Sequence, residues 1–401
     1  MEVLQKIYEM TAFGDLAQDP RVLIMLTLAG VLLYLGIFKK FEPLLLVPIG
    51  FGVLLANFPG GSMDVISSEV NPDIKHMTLI EIADGFGIMN MLYYALIKTG
   101  LLPPLIFMGV GAMTDFGPLL RNLKLAFFGA AAQLGIFIVL FGAIFVGYSP
   151  QKAGALAIIG GADGPTAIYT AIKLAPELLG PIAIAAYSYM ALVPVIIPLV
   201  VKFTVTKKEL AINMKEQDRL YPNKYTIKNL KLVKILFPIL LVMVVSLIVP
   251  TSTPLLGMLL FGNLVKEIGT TTNRLFEAAS NTIMNTATIF LGLTVGATMT
   301  SVTFLNVQTL GIIFGGFVAF AFSILGGITA VKIHNLFSRK KINPLIGATG
   351  LSAVPMASRV ANEIALKEDS SNHILQYAMS SNISGVIGSA VAAGILISFL
   401  G

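Results

Sequence analysis

Ile158-Ile159-Gly160-Gly161-Ala162-Asp163-Gly164-Pro165-Thr166 is the stretch on which the reading of this 401-residue chain turns. Its glycines permit tight backbone geometry, and Pro165 has no N–H, so a carbonyl upstream loses its helical partner. A helix that enters this stretch is broken there. Apolar sequence flanks the break on its N-terminal side, and a carboxylate placed in hydrocarbon costs about 2.5–3.5 kcal/mol on insertion scales. Two readings of Asp163 are open. With the freed carbonyls it forms a set of hard oxygen donors for a monovalent cation; or it caps, at the interface, a half-helix starting near Pro165.

The surrounding composition sets the solvent. Hydrophobic residues make up 56% of the chain and charged ones 12%, about half the charged share of a soluble domain. Residues 123–146, 180–201 and 309–330 are apolar runs with few or no charges. About 20 such residues cross the hydrocarbon core as a helix. A soluble domain, a disulfide-stapled secreted domain and a disordered chain are excluded. There is no cysteine, hence no disulfide, thiolate nucleophile or thiolate metal site. His76, His334 and His373 lie far apart, without carboxylates at metal-ligand spacing. The expected fold is an all-α polytopic membrane protein.

The formal charge of +6 is local. Residues 202–234 hold nine bases against three acids, a surplus of six that equals the whole net charge. The positive-inside rule makes this segment cytoplasmic. Spans flank it and nothing aromatic-rich or Gly-rich accompanies it, so it reads as a linker between halves and not as a nucleic-acid site. The N-terminus lacks a basic n-region and a cleavage site, so no signal peptide is expected. Residues 1–11 have the apolar spacing of a short interfacial helix.

The halves repeat. Gly52 matches Gly262, Gly111 (in Gly-Ala-Met-Thr) matches Gly296, and Gly161 (in Gly-Ala-Asp-Gly) matches Gly347, at offsets of 210, 185 and 186. The change in offset assigns the extra residues of the first half to the polar stretch 59–84. Equivalent loops carry opposite charge bias. Arg121 and Lys124 follow the first Gly-Ala-Met-Thr, while 303–308 has no base; Lys152 alone precedes the first break, while Arg339, Lys340 and Lys341 precede the second. Opposite bias predicts halves inverted across the membrane. With 180–201 as one complete span, parity makes 153–172 a re-entrant hairpin from outside and 343–359 one from the cytoplasm. The expected organisation is an N-terminal membrane repeat over 1–203, a basic linker over 204–232 and an inverted repeat over 233–401. Two broken-helix hairpins meeting near the midplane make an elevator-transporter-like inverted repeat.

The second break supplies neutral oxygens from Asn343, Thr349 and Ser352, a backbone opened by Pro344 and Pro355, and one cation, Arg359. Arg359 either snorkels to the interface or binds a carboxylate bidentately. Half-helix N-termini after Gly164 and Gly350 also favour an anion. Tyr187 and Tyr189, in the next span, either pack or offer a hydroxyl as proton donor or ion ligand. Asp115 reads as an interfacial cap, and Asn382 and Ser384 as a packing face.

At these residues the sequence resembles the membrane β subunit of the biotin-dependent, sodium-pumping decarboxylases. The resemblance rests on Gly160-Gly161-Ala162-Asp163-Gly164-Pro165-Thr166, on Asn343-Pro344-Leu345-Ile346-Gly347 running to Arg359, and on Ser384-Gly385-Val386-Ile387-Gly388-Ser389-Ala390. It implies a carboxybiotin decarboxylase of a bacterial-type cytoplasmic membrane that couples the loss of carbon dioxide to sodium export. The family includes oxaloacetate, methylmalonyl-CoA, glutaconyl-CoA and malonate decarboxylase complexes. Asp163 matches its essential sodium and proton site; Tyr189, Asn343, Gly347, Ser352 and Arg359 fall on its other functional positions. The resemblance implies Asp163, Tyr189 and Arg359 as catalytic, Asp163, Asn343, Gly347 and Ser352 as sodium ligands, and Ser352 and Arg359 toward carboxybiotin. It also implies a carboxyltransferase α subunit, a biotin carrier protein, a small γ-type membrane subunit and a homo-oligomer within the complex. The carboxybiotin sits on the separate carrier, since this chain has no Ala-Met-Lys-Met biotin-attachment site. The competing reading is a sodium-coupled transporter of a small organic anion without chemistry, which fits the repeat and the broken helices equally well.

Overall fold

The computed structural model describes residues 11–12, 16, 19–66, 71–222, 229–353 and 356–401. Nearly all of the expected interfacial helix over 1–11, and Val354 and Pro355 of the second break, lie outside them. Every regular element among the described residues is helical. Five helices are long and apolar enough to cross a membrane: Pro20–Ile37, Leu123–Phe145, Leu230–Ile248, Val307–Phe337 and Leu375–Leu400. Two bent pairs, Ile88–Ile97 with Leu102–Met113 and Pro176–Met190 with Val193–Thr204, raise the number to seven. This is a multi-pass membrane protein. The second bent pair departs from the expected single span over 180–201. Its axis turns by 68° at Leu192, just before Pro194 enters the first turn of the next helix, where a residue without N–H costs nothing.

Burial sorts the helices by composition. Leu230–Ile248 is apolar beyond Lys234 and has only Pro238 buried, with Leu247 83% open, as suits a helix with one side to acyl chains. Leu375–Leu400 is rich in Ser, Ala and Gly and has much of its surface inside the molecule. Lipid tails are as apolar as leucine, so close packing and interhelical hydrogen bonds hold such helices together.

Four glycines set two close crossings. A Cβ on Gly52 would lie 2.3 Å from the Leu293 carbonyl, and one on Gly296 would lie 2.3 Å from that of Ile49. Helices Pro43–Ala56 and Met284–Ala297 therefore touch backbone to backbone. Likewise a Cβ on Gly111 would lie 1.8 Å from the Leu259 carbonyl, and one on Gly262 would lie 1.9 Å from that of Met108, joining Leu102–Met113 to Thr253–Ile268. Side-chain amides seal both crossings. Asn57 donates to the Met299 carbonyl at 2.7 Å, and Asn263 to the Thr114 carbonyl at 2.8 Å. A π-helical turn precedes one partner of each crossing, at Tyr93–Ile97 and Ala278–Ile283.

Both expected breaks are present. The first runs Pro150–Ala157, a 3-10 turn Ile158–Gly161, then Gly164–Leu174. The second has a short helix Leu345–Ala348, then Met356–Glu368, which extends beyond residue 359.

Asp115 lies past the bent pair's end, where its carboxylate is 2.5 Å from Lys234 Nζ and accepts from the Gly117 N–H at 2.9 Å. Partial burial pushes its titration up, but Lys234 and the Gly117 amide outweigh that and leave it below its usual value. A carboxylate depressed on folding contributes stability that is present above its unfolded titration and lost as pH falls through the folded one. The melting temperature of the native chain is therefore expected to fall toward that of Asp115→Asn as pH drops below about 4. A constant difference between them down to pH 3 would remove Asp115 from the fold's electrostatics.

Substituting the crossing glycines tests the packing. Gly111→Ala is expected to cost about 1–3 kcal/mol of stability and to lower the melting temperature in detergent. Gly30→Ala, with nothing within 4 Å of the added carbon, is expected to be neutral or slightly stabilising. Equal melting temperatures for the two would mean that the crossing yields freely.

Candidate functional site

Asp163 is the N-cap of Gly164–Leu174. Its Oδ1 accepts from the Thr166 N–H at 3.4 Å, Gly164 and Pro165 open the helix, and the 3-10 turn delivers the chain through Ala162 at φ +56°. A left-handed alanine is strained backbone, held only where the surroundings over-determine it. Asp163 caps this helix, as the second reading has it, but it is 7% exposed and enclosed by protein.

The second break closes over the first. The Ser352 N–H donates to the Gly161 carbonyl at 3.0 Å, so the two turns share a backbone hydrogen bond. The Ser352 hydroxyl lies 2.8 Å from that of Ser389, which in turn is 3.2 Å from Asp163 Oδ2 and 2.9 Å from the Val386 carbonyl. Ser389 has one proton to give, so a bond to Asp163 is made at the expense of the carbonyl. Among the described residues Asp163 makes no ion pair. A carboxylate so enclosed needs either a proton or a cation to sit there without a large desolvation cost.

Two side-chain amides fix the second turn from outside. Asn382 Nδ2 donates to the Leu351 carbonyl, with those of Thr349 at 3.2 Å and Ala353 at 3.5 Å. Gln133 Nε2 reaches the carbonyls of Gly129, Gly350 and Gly385 at 3.3–3.4 Å. Reading Asn382 as packing missed its hold on this turn. Gln133 also escaped the sequence, although a lone amide in the apolar run 123–146 was a signal of the same kind as Asp163.

Helix Leu179–Ala191 sends its tyrosines to different neighbours. Tyr187 is fully buried against the first break, where a Cβ on Gly164 would lie 1.9 Å from its ring, and its hydroxyl has no partner among the described residues. The Tyr189 hydroxyl donates to the Ile313 carbonyl, and its ring meets Phe317 and Phe320. Ser352 thus joins Asp163, whereas the other expected residues stand apart. Asn343 is buried with Nδ2 on the Leu210 and Ile212 carbonyls and Oδ1 on the Leu345 N–H. Gly347 is pressed against the Gly327 carbonyl, where a Cβ would come within 2.1 Å. Arg359, in the first turn of Met356–Glu368, is exposed and makes no ion pair among the described residues.

Among the described residues, the part of the basic segment before Tyr221 is docked. Asp218 meets Lys340 Nζ and the Tyr377 hydroxyl, each at 2.5 Å, and Asn213 reaches Asp369 at 3.0 Å. A cavity of about 430 Å³ lies beside it between Glu209, Lys332, Asn335 and Lys341, and none of its lining belongs to the Asp163 junction.

Residues 21–400 match the family described as the Na+-transporting oxaloacetate decarboxylase beta subunit. The chain belongs to this family. The methylmalonyl-CoA decarboxylase subunit beta of Propionigenium modestum is 47% identical over the full length of both chains. The oxaloacetate decarboxylase beta chain of Haemophilus ducreyi is 45% identical, with 94% of each chain covered. The methylmalonyl-CoA decarboxylase subunit beta of Veillonella parvula is 46% identical, covering 96% of this chain and 95% of that one. Decarboxylase beta subunits named for two different acyl acids are thus about equally similar to this one.

The contact between Gly164 and Tyr187 can be tested in this beta subunit without an activity assay. Gly164→Ala alone is expected to cost about 1–3 kcal/mol. Combined with Tyr187→Ala it should cost at least about 0.5 kcal/mol less than the sum of the single changes. Additive losses would show that the ring does not limit the break.

Proposed function

We propose that this chain is the membrane subunit in which decarboxylation of carboxybiotin, carried on a separate protein, drives sodium export, with Asp163 as the carboxylate that carries ion and proton in turn. One observation carries the reading: Asp163 is buried where two broken helices meet, beside hydroxyl and carbonyl oxygens and without a cation among the described residues. Hard, neutral oxygens around one carboxylate suit a monovalent cation. Membership of a family described as sodium-transporting supports the same ion.

Releasing carbon dioxide from carboxybiotin breaks the ring N–C bond. The electron pair stays on nitrogen, which takes up one proton. Asp163 supplies that proton, directly or by way of Tyr189, and the carboxylate left on Asp163 accepts the next sodium ion. Ser352 belongs to the ion's shell and to the carboxybiotin side of the same turn. Asn343 and Gly347 serve the ion from the entry of the second break. Arg359, charged and exposed, receives the carboxybiotin anion, for which a guanidinium fork is suited.

The mirrored crossings support two inverted repeats, 1–203 and 233–401, joined by the linker 204–232. The glycines matched in sequence, Gly52 with Gly262 and Gly111 with Gly296, take equivalent places in two crossings, each sealed by an amide to Met299 or Thr114, themselves 185 residues apart. The two broken elements then enter from opposite sides of a bacterial-type cytoplasmic membrane, in an elevator-transporter-like arrangement. The linker side is cytoplasmic and receives the carboxyltransferase α subunit and the biotin carrier protein; a small γ-type subunit and further copies of this chain complete the assembly. The acyl acid is chosen elsewhere in the complex. The near-equal identity to relatives named for different acids supports this.

In the complex reconstituted into vesicles, Asp163→Asn is expected to lower sodium-stimulated decarboxylation and sodium uptake together, by about 100-fold or more. A variant that retained both would remove Asp163 from the coupling; one that lost only uptake would limit Asp163 to the ion.

A further inference from the structure

Gln133 sits at the step between helices Leu123–Ala132 and Leu134–Phe145, 6% exposed and ringed by Gly129, Gly161, Gly350, Gly385 and Gly388. Its orientation is fixed by chemistry. Three carbonyl oxygens from three elements converge on one end of the amide, and only the NH2 end can face them; an oxygen there would be repelled by all three. Oε1 is consequently turned away and has no hydrogen-bond partner among the described residues.

It is turned toward the first break. A Cβ on Gly161 would lie 3.7 Å from Gln133 Oε1 and 3.0 Å from Ser389 Cβ. The Ser389 hydroxyl is the one 3.2 Å from Asp163. The orphan acceptor and Ser389 thus flank the same glycine, with the Ile136 Cδ1 methyl 3.5 Å from the same point, and the Ser389 hydroxyl leads on to the Asp163 carboxylate. The absent side chain of Gly161 is what leaves them room. A buried acceptor without a donor is costly. A donor hydrogen or a bare cation satisfies it, and beside a carboxylate that has no ion pair among the described residues the cation also supplies the missing charge.

We propose that Gln133 Oε1 is a sodium ligand, shared with Asp163 and Ser389. The same side chain's NH2 group, through Gly350 and Gly385, reports the ion's presence to the second break and the last helix. This rests on the reading of Asp163 as the sodium carboxylate. Because Nε2 holds the Gly350 carbonyl in place, filling the Oε1 side stiffens the contact between the two breaks as well as binding the ion.

The test is run on the assembled complex with two readouts: the sodium concentration for half-maximal decarboxylation, and the rise in melting temperature produced by sodium over potassium. Gln133→Met keeps the volume and removes the oxygen together with the NH2 group. It is expected to raise half-saturation by about tenfold, the effect of one lost ligand contact, and to abolish most of the sodium-dependent stabilisation. A lower melting temperature in potassium with both sodium readouts at native values would make Gln133 a purely structural tie and overturn the proposal. Gln133→Asn keeps both ends of the amide and withdraws them by one methylene. If the methionine variant does not assemble, the asparagine variant decides: half-saturation raised several-fold supports the ligand, and an unchanged value overturns it. Asp163→Asn, measured alongside, separates the layers. If it too keeps native sodium readouts, the reading of Asp163 has failed; if it loses them while Gln133→Met does not, only the role of Gln133 has.

Discussion

A single backbone hydrogen bond, from the Ser352 N–H to the Gly161 carbonyl, defines where the two interrupted helices of this protein touch. In hydrocarbon an interrupted helix exposes carbonyls and N–H groups that water cannot satisfy, so such a segment survives only against other protein. Here each break satisfies part of the other. Asn382 and Gln133 take up the remaining carbonyls of the second turn, and Asp163 takes the Thr166 N–H of the first. The surrounding arrangement can be understood as what is needed to bring these two turns together and keep lipid away.

That need explains the glycines. Turns packed this closely demand that the helices against them approach at backbone distance. They do so where Gly327 meets Gly347, where Gly385 meets the Gly350 carbonyl, and where Gly129 meets the Ser381 carbonyl of the last helix. Gly52, Gly111, Gly262 and Gly296 give the same close approach in the two crossings elsewhere in the fold. Small residues gain contact area without losing side-chain entropy, a suitable bargain when burial from water contributes nothing between helices in lipid. The broad apolar helix Leu230–Ile248 lacks such residues in its central run and correspondingly stays at the periphery.

Much of this was legible in the sequence because it rests on residue types with one physical use. Gly-Ala-Asp-Gly-Pro-Thr could not be a continuous helix, and a nearly chargeless run of over 20 residues could hardly be anything else. Partner choice was less legible. Tyr187 and Tyr189 are two residues apart, hence on different faces of one helix, and nothing local says which face meets Asp163; only the three-dimensional position of Gly164 assigns it to Tyr187. Asn343 reads as an oxygen donor from its place in a broken motif, but nothing local foretells that its Nδ2 holds two carbonyls of the basic segment. The bend at Leu192 was hidden because Pro194 is tolerated in a first helical turn and equally ends a preceding helix.

Those commitments of Asn343 change how the basic segment is understood. A tether needs only length, but this one hydrogen-bonds the entry of the second break through Leu210 and Ile212 and binds Lys340 and Tyr377 through Asp218. Helix Leu375–Leu400 begins at that same Tyr377 anchor and carries Asn382 and Ser389 onward to the two turns. The segment and the site are thus opposite ends of one rigid lever. A displacement of the second break has either to carry the docked segment along or to break the Asp218 contacts first. Whichever happens, a protein bound to that segment would act on the same helix that presents Ser389 to Asp163.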